Sequence, residues 1–124
     1  MKTDKWLGFD FDKDGWSENH ENHSDAFDKF ARDFRSDVKT LLKGTDWKLH
    51  KLELKWFDGS GFLFNEKLNK FLYISISDVR YFSDSWNGML IRTAKHDKDW
   101  TGGTNNYTSL KDLAITADRM KNWF

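Results

Sequence analysis

The chain of 124 residues has no cysteine, no long apolar run and no net charge. The absence of cysteine excludes disulfides, thiol catalysis and cysteine-based zinc sites, and it suits a reducing compartment. No stretch approaches the roughly 20 apolar residues of a membrane span. The N-terminal residues also lack the apolar core of a signal peptide. We therefore expect a cytoplasmic protein that does not act on a membrane.

Acidic and basic side chains balance, with 20 of each. This balance argues against a dedicated DNA-backbone binder, which usually carries a basic excess, and equally against an acidic DNA mimic. The charges are unevenly spread, because residues 1–37 have an acidic excess and residues 38–124 an equal basic excess. The asymmetry predicts an acidic face and a mildly basic one, unless it reflects only ordinary solvation of two surfaces.

Hydrophobic periodicity predicts a single α+β domain that spans residues 1–124 in the order α-β-β-β-β-α. Residues 1–23 show no regular period and form an acidic, irregular N-terminal segment. Two amphipathic helices that cover one face of a four-stranded antiparallel sheet would bury both apolar stripes. The predicted strands are residues 47–57, 62–64, 71–77 and 89–95.

Local signals set the predicted limits of these elements. Ser24 is the expected N-cap of the first helix, and Gly44 ends it. The apolar residues of the first strand change parity, which predicts a bulge near His50–Lys51. The residues Asp58–Gly61 are typical of a hairpin turn. The second helix is expected to open at Thr108 or Ser109, with Asp112 in the capping-box position.

The segment that begins at Asp10 matches the calcium-loop pattern D-x-D-x-D-G-x5-E. However, no second calcium loop follows, and the preceding residues would make a poor entering helix. The alternative is an acidic loop that leads into the first helix, and we therefore expect no cofactor. Calcium is the exception, to be tested by thermal melting with calcium and with chelator. The oxygen ligands would be Asp10, Asp12, Asp14 and Glu21.

A metal-dependent enzyme that acts on nucleic acid is one alternative function. His20 and His23 have the spacing of one helical turn, but no third metal ligand with motif spacing follows. There is no phosphate-binding glycine loop and no nucleophile–base motif. We therefore expect a binding protein without catalytic residues. The side chains that a nuclease would have to use are Asp78, Arg80, Arg92, His96, Asp97 and Asp99.

The longest predicted loop runs from His96 to Tyr107, which is at the upper end for a compact domain. Gly102-Gly103 permits a positive φ, and Trp100 and Tyr107 are aromatic anchors of the type enriched at binding hot spots. Such a loop could also stack on single-stranded nucleic acid and neutralise it. The alternative is a folded-over loop whose rings cover the sheet edge. The basic residues around these rings are Arg92, Lys95 and Lys98.

Three segments are distinctive, namely Ser75–Tyr81 (SISDVRY), Leu90–Lys95 (LIRTAK) and Asp99–Thr108 (DWTGGTNNYT). Together they resemble a family of small proteins carried by phages, plasmids and integrative elements of Gram-positive bacteria. Some members of this class resemble type II-A anti-CRISPR proteins. The resemblance implies a protein that acts in the bacterial host cell. It would bind a type II RNA-guided CRISPR effector nuclease, or its guide complex, and block DNA binding or cleavage.

Two surfaces are candidates for the partner contact, and a nucleic-acid-binding accessory domain of a mobile element remains an alternative function. An acidic surface would compete with phosphate for the nuclease, and a basic and aromatic surface is the other candidate. The acidic candidates are Asp10, Asp12, Asp14, Glu18 and Glu21. The basic and aromatic candidates are Arg80, Arg92, Lys98, Trp100 and Tyr107.

Overall fold

The computed structural model describes residues 1–11, 13, 15–16, 24–55, 57–79 and 88–124. These residues form two α-helices, a short 3-10 helix and an antiparallel sheet, which confirms the α+β class. The sheet has five strands, one more than predicted. No helix in these residues is long and apolar enough to cross a membrane. The elements are the 3-10 helix Lys2–Trp6, α1 (Asp25–Leu42), β1 (Trp47–Lys55), β2 (Asp58–Asn65), β3 (Lys70–Ile76), β4 (Met89–Ala94), β5 (Asn105–Thr108) and α2 (Leu113–Met120).

The sheet is a meander in which each strand pairs with the next one along the chain. The register of β1 against β2 shifts between Leu49 and Lys51, which confirms the predicted bulge. The predicted turn Asp58–Gly61 is wrong, because these residues already pair with β1. Gly61 pairs with Leu52, next to the bulge, and a Cβ at Gly61 would overlap the Lys51 carbonyl oxygen. Glycine at this position therefore permits the two strands to approach closely and does not form a turn.

Helix α1 begins and ends where the sequence predicts. The Ser24 Oγ accepts a hydrogen bond from the Phe27 amide at 3.1 Å, so Ser24 is the N-cap. Gly44 has a φ of +79° just after the helix and permits the chain to turn into β1. The stripe that includes Phe30, Phe34 and Val38 is fully buried against the sheet. Burial of this stripe removes several large side chains from water and is a main source of the stability of the fold.

The core lies between the helices and one face of the sheet. Strand residues of one parity point into it, and cross-strand pairing brings Leu63 opposite Leu72 and Ile74 opposite Ile91. Helix α2 packs on the same side, since the Thr108 Oγ1 of this face lies 2.9 Å from the Thr116 Oγ1. The fully buried apolar residues on this side of the sheet and in α2 are Trp47, Leu63, Leu72, Ile74, Met89, Ile91, Leu113, Ala117 and Met120.

The N-terminal segment is less irregular than predicted, because its described part contains the 3-10 helix and an aromatic cluster. Trp16 is buried at the centre of this cluster. Its ring centroid lies 4.8 Å from Phe11 and 5.4 Å from Phe27 of α1, and it stacks on Phe57. Edge-to-face contacts of this kind add to the hydrophobic gain. The aromatic residues of this acidic segment therefore complete the core.

Two carboxylates of α1 anchor the 3-10 helix. The Asp37 carboxylate accepts hydrogen bonds from the amides of Lys2 and Thr3 at 2.9 and 2.8 Å and from the Thr3 hydroxyl at 2.7 Å. The Asp33 carboxylate accepts from the Trp6 indole at 3.0 Å and pairs with Lys5 at 2.9 Å. Burial disfavours the ionised form of Asp33, but these two donors outweigh it and hold its pKa below the usual value.

The start of α2 differs from the prediction. Thr108 is the last residue of β5, where it pairs with Met89, and the helix begins at Leu113. Ser109 does cap a turn, because its Oγ accepts from the Asp112 amide at 3.2 Å, but this turn precedes the helix. The sequence correctly indicated a capping residue. However, Thr108 pairs with β4, so the helix begins about one turn later than predicted.

The contacts of Asp33 make the stability of the fold depend on pH. Because its pKa is lowered in the folded state, Asp33 stabilises the fold above the unfolded-state pKa of about 3.9, and this stabilisation is lost as the pH falls through the folded-state value. We expect Asp33→Asn to lower the unfolding free energy by about 1 kcal/mol at neutral pH. The difference from the native protein should shrink between neutral pH and an acid pH below the unfolded-state pKa of about 3.9. Urea unfolding at both pH values measures it.

The exposed Asp118, which pairs with Lys121, provides the control. Asp118→Asn should leave stability within about 0.5 kcal/mol at both pH values. An Asp33→Asn deficit that stays constant into the acid range would contradict the assigned ionisation.

Candidate binding surface

The side of the sheet opposite the helices is an aromatic and basic surface that no described helix covers. Its side chains belong to the second parity of the strands and align in rows across the sheet. The first row is Lys48, Phe64, Phe71 and Ala94; the second is Lys51, Phe62, Tyr73, Arg92 and Asn105; the third is Glu53, Ser60, Ser75, Leu90 and Tyr107. We call these three rows, together with Trp100, the open face.

Trp100 lies over the second row. Its ring centroid is 5.0 Å from that of Phe62 and 5.9 Å from that of Tyr73. The Lys51 ammonium lies 5.3 Å from the Phe62 ring and 5.4 Å from the Trp100 ring. Phe62 is 0% exposed although no described helix covers it, whereas Trp100 remains 47% exposed. Trp100 thus shields the sheet with one part of its ring and presents another part to solvent.

Hydrogen bonds hold the loop between β4 and β5 in one conformation, and this conformation positions Trp100. The Asp99 carboxylate accepts hydrogen bonds from the amides of Lys95 and Gly102, both at 3.0 Å, and these bonds lower the pKa of Asp99. The Thr93 Oγ1 accepts from the Thr104 amide at 2.8 Å. Gly103 has a φ of +87°, and a Cβ there would overlap the Thr93 carbonyl oxygen. The glycine therefore permits the close approach that closes the loop.

Arg92 ties this loop to the sheet. Its Nε donates to the Asn105 Oδ1 at 2.6 Å, and its Nη1 donates to the Trp100 carbonyl oxygen at 2.8 Å. Its guanidinium carbon lies 5.4 Å from the centre of the Tyr73 ring. One side chain thus links β4, β5 and the loop, and its positive charge stays on the open face.

A second aromatic group lies at the β1 side of the open face. The rings of Phe64 and Phe71 are 4.6 Å apart, and the His50 ring lies 5.5 Å from Phe71. The His50 Nε2 is 3.0 Å from the Asp97 Oδ2. The hydrogen bond from His50 lowers the pKa of Asp97, and Lys51 lowers it further. Asp97 therefore connects the loop to the bulge of β1.

The structure brings together part of the predicted basic and aromatic set. Arg92, Trp100 and Tyr107 all belong to the open face, and Lys98 is exposed in the adjoining loop. The predicted position of Tyr107 in the loop is wrong, because it lies in β5 opposite Leu90. The loop is therefore shorter than predicted, and both predicted roles apply to Trp100, which packs on the sheet and remains exposed. Arg80 lies outside the described residues.

Most of the predicted acidic surface lies outside the described residues. Asp10 is described, and its Oδ1 accepts a hydrogen bond from the Lys13 amide at 3.2 Å. Within the described part of the chain, no three His, Asp or Glu side chains are grouped so that they could hold a metal ion. The calcium loop and the acidic contact surface remain predictions. The residues outside the description are Asp12, Asp14, Glu18, His20, Glu21 and His23.

His96, Asp97 and Asp99, which were considered for nuclease chemistry, lie in the β4–β5 loop and have structural partners. Asp97 contacts His50, and Asp99 accepts two backbone hydrogen bonds. The His96 Nδ1 accepts from the Lys98 amide at 3.1 Å. These contacts explain the residue types of the loop without assigning them a chemical role.

The residues in the middle of the open face were not predicted from the sequence. Phe64, Phe71, Tyr73 and Lys51 were not candidates, although they surround the predicted Trp100. The signal was present in β2 and β3, where aromatic residues of one parity alternate with aliphatic residues of the other. Two apolar faces on a strand indicate that each face is covered or used, and the predicted helices cover only one.

Comparison with known proteins leaves the function to be argued from this surface. No protein-family model, no curated protein and no solved structure matches the chain. The similarity to anti-CRISPR proteins therefore remains a prediction from three short segments.

The loop contact at Gly103 can be tested against a glycine of similar backbone geometry. Gly44→Ala should cost about 1 kcal/mol because only the positive φ is penalised, and nothing lies within 4 Å of its Cβ. Gly103→Ala should cost about 3 kcal/mol, because the new Cβ also overlaps the Thr93 carbonyl oxygen. Chemical denaturation of both variants measures the difference, and equal costs would contradict the proposed closure of the loop.

Proposed function

We propose that the protein is a binding protein, not an enzyme, and that it inhibits a type II RNA-guided CRISPR effector nuclease through its open face. The observation that carries the binding role is a half-exposed Trp100 held on a rigid sheet. Large rings in fixed positions bind partners at low entropic cost and are enriched at hot spots. The choice of a nuclease as partner rests on the resemblance to anti-CRISPR proteins.

The positions of two of the resembling segments support the open face as the contact surface. Leu90–Lys95 lies in β4 and the residue after it, and Asp99–Thr108 forms most of the loop together with β5. The segments thus include Arg92, the residue pair Thr93 and Gly103, and Trp100 itself. A shared role for these segments would therefore be to build the loop and present its tryptophan.

Inhibition of such a nuclease requires no chemistry from the inhibitor. The nuclease must hold its guide, recognise a short duplex motif and admit the target strand. A small domain that occupies any of these surfaces blocks DNA binding or cleavage. The open face presents rings and cations across three rows of the sheet and can form such a contact.

Trp100→Ala tests the contact. We expect at least a tenfold loss of affinity for the nuclease–guide complex, because truncation of a hot-spot tryptophan costs roughly 2 kcal/mol or more. The matched control is Ile115→Ala on α2, since Ile115 is 62% exposed and lies in the layer on the other side of the sheet. Binding by calorimetry and cleavage of target DNA, with the native protein added before or after the target, provide the readouts.

Retained inhibition by Trp100→Ala, or equal loss in Ile115→Ala, would contradict the open face as the contact. A native protein that neither forms a complex nor reduces cleavage would overturn the proposed function. Degradation of the guide RNA by the isolated protein with a divalent metal would instead identify an enzyme.

A further inference from the structure

We infer that the open face binds single-stranded RNA directly, with bases stacked on its rings and phosphates held by Lys48, Lys51 and Arg92. This inference deepens the proposed function, on which it rests only for the identity of the RNA as part of a guide complex. RNA binding itself can be measured on the isolated protein.

The rings of the open face are arranged for stacking. Phe64 and Phe71 form one group, and Tyr73 and Trp100 form another around the buried Phe62. Phe64, Phe71 and Tyr73 lie on the neighbouring strands β2 and β3, which are about 4.8 Å apart, and Trp100 lies against Phe62 and Tyr73 from the loop. Unpaired bases stack on such rings irrespective of sequence, because every base has a π-face.

A cation accompanies each group of rings. Lys51 lies between Phe62 and Trp100, Arg92 lies over Tyr73, and Lys48 is paired across the sheet with Phe64. A strand whose bases stack on the rings therefore places its phosphates within reach of these charges. Alternating aromatic and cationic side chains provide the base stacking and the charge neutralisation that a flexible polyanion requires.

The charge of the face favours a polyanion although the chain is neutral overall. In its three rows the strand cations Lys48, Lys51 and Arg92 outnumber the one strand carboxylate, Glu53, which lies beside Lys55 near one end of β1. Towards the other end, the loop residue Asp97 is the acid that approaches Lys51, at 4.0 Å, and it is shared with His50. The rows that carry most of the rings therefore have a net positive charge.

The surroundings of the rings favour RNA over a folded protein partner or duplex DNA. Rings at the centre of a sheet reach bases only when these are unstacked, which excludes an intact duplex. Ser60 and Ser75 add hydroxyl groups in the row beside the rings, where they can hydrogen-bond the ribose 2′-hydroxyl. A protein contact of this type would favour fewer charges at its centre.

Fluorescence anisotropy with a labelled oligouridylate of about ten nucleotides tests the inference, since single-strand binding folds cover about 4–16 nucleotides. Affinity should fall with salt with a logarithmic slope of about −2, as expected for three phosphate contacts. Lys51→Ala and Trp100→Ala should each weaken binding by about tenfold, and Trp100→Phe should restore most of it. Oligodeoxyuridylate should bind more weakly than the RNA.

Two control variants change exposed side chains away from the open face. Lys39→Ala removes an exposed cation of α1, and Leu7→Ala removes an apolar side chain that is 61% exposed, just after the 3-10 helix. Both should retain native affinity, and thermal melting establishes that every variant is folded.

Each outcome separates the inference from the proposed function. No RNA binding at low salt, equal loss in the control variants, or equal affinity for the DNA strand would overturn the inference. A protein that inhibits the nuclease but fails to bind RNA would have a protein contact at this face, and the proposed function would stand. RNA binding with the predicted variant pattern but without any effect on the nuclease would uphold the inference and overturn the proposed function.

Discussion

The helices and the N-terminal aromatic cluster of the described chain pack on one face of a five-stranded sheet, and the rest of the structure depends on this constraint. The helices α1 and α2 and the aromatic cluster around Trp16 bury the aliphatic parity of the strands. No described helix then covers the opposite parity, although it carries Phe62, Phe64, Phe71 and Tyr73. An aromatic surface of this kind is costly for a monomer unless it is shielded or used.

The β4–β5 loop provides partial shielding and at the same time forms the candidate site. Thr93 and Gly103 close the loop, Arg92 fastens it to the sheet, and Trp100 covers Phe62. Because Trp100 is held by backbone hydrogen bonds and by packing, little conformational entropy remains to be lost when a partner binds. Stability and binding thus depend on the same few residues.

The sequence allowed prediction of features that depend on local signals. The α1 cap at Ser24 and the bulge near His50 follow from residue type and parity, and both are confirmed. The β2 start at Asp58 was missed because glycines that serve a close approach of strands resemble turn glycines. Strand β5 was missed because it is short and polar and is stabilised by pairing with β4 rather than by its own pattern.

The same limit applies to the candidate site. Trp100 and Arg92 were predicted because their loop stands out in the sequence, and the structure places them on one surface. Lys51 and Tyr73 became part of this surface only through the register of three strands, which no local pattern specifies. The order of the strands across the sheet therefore determines which side chains meet, and it is a tertiary property.

Lysine acetylation of the protein, free and in complex with the nuclease and its guide RNA, tests most directly whether the open face is the contact. Lys48 and Lys51 should lose reactivity in the complex, whereas Lys39 on α1 and Lys111 just before α2 should keep theirs. Protection of Lys39 and Lys111 with unchanged reactivity of Lys48 and Lys51 would contradict the open face as the contact.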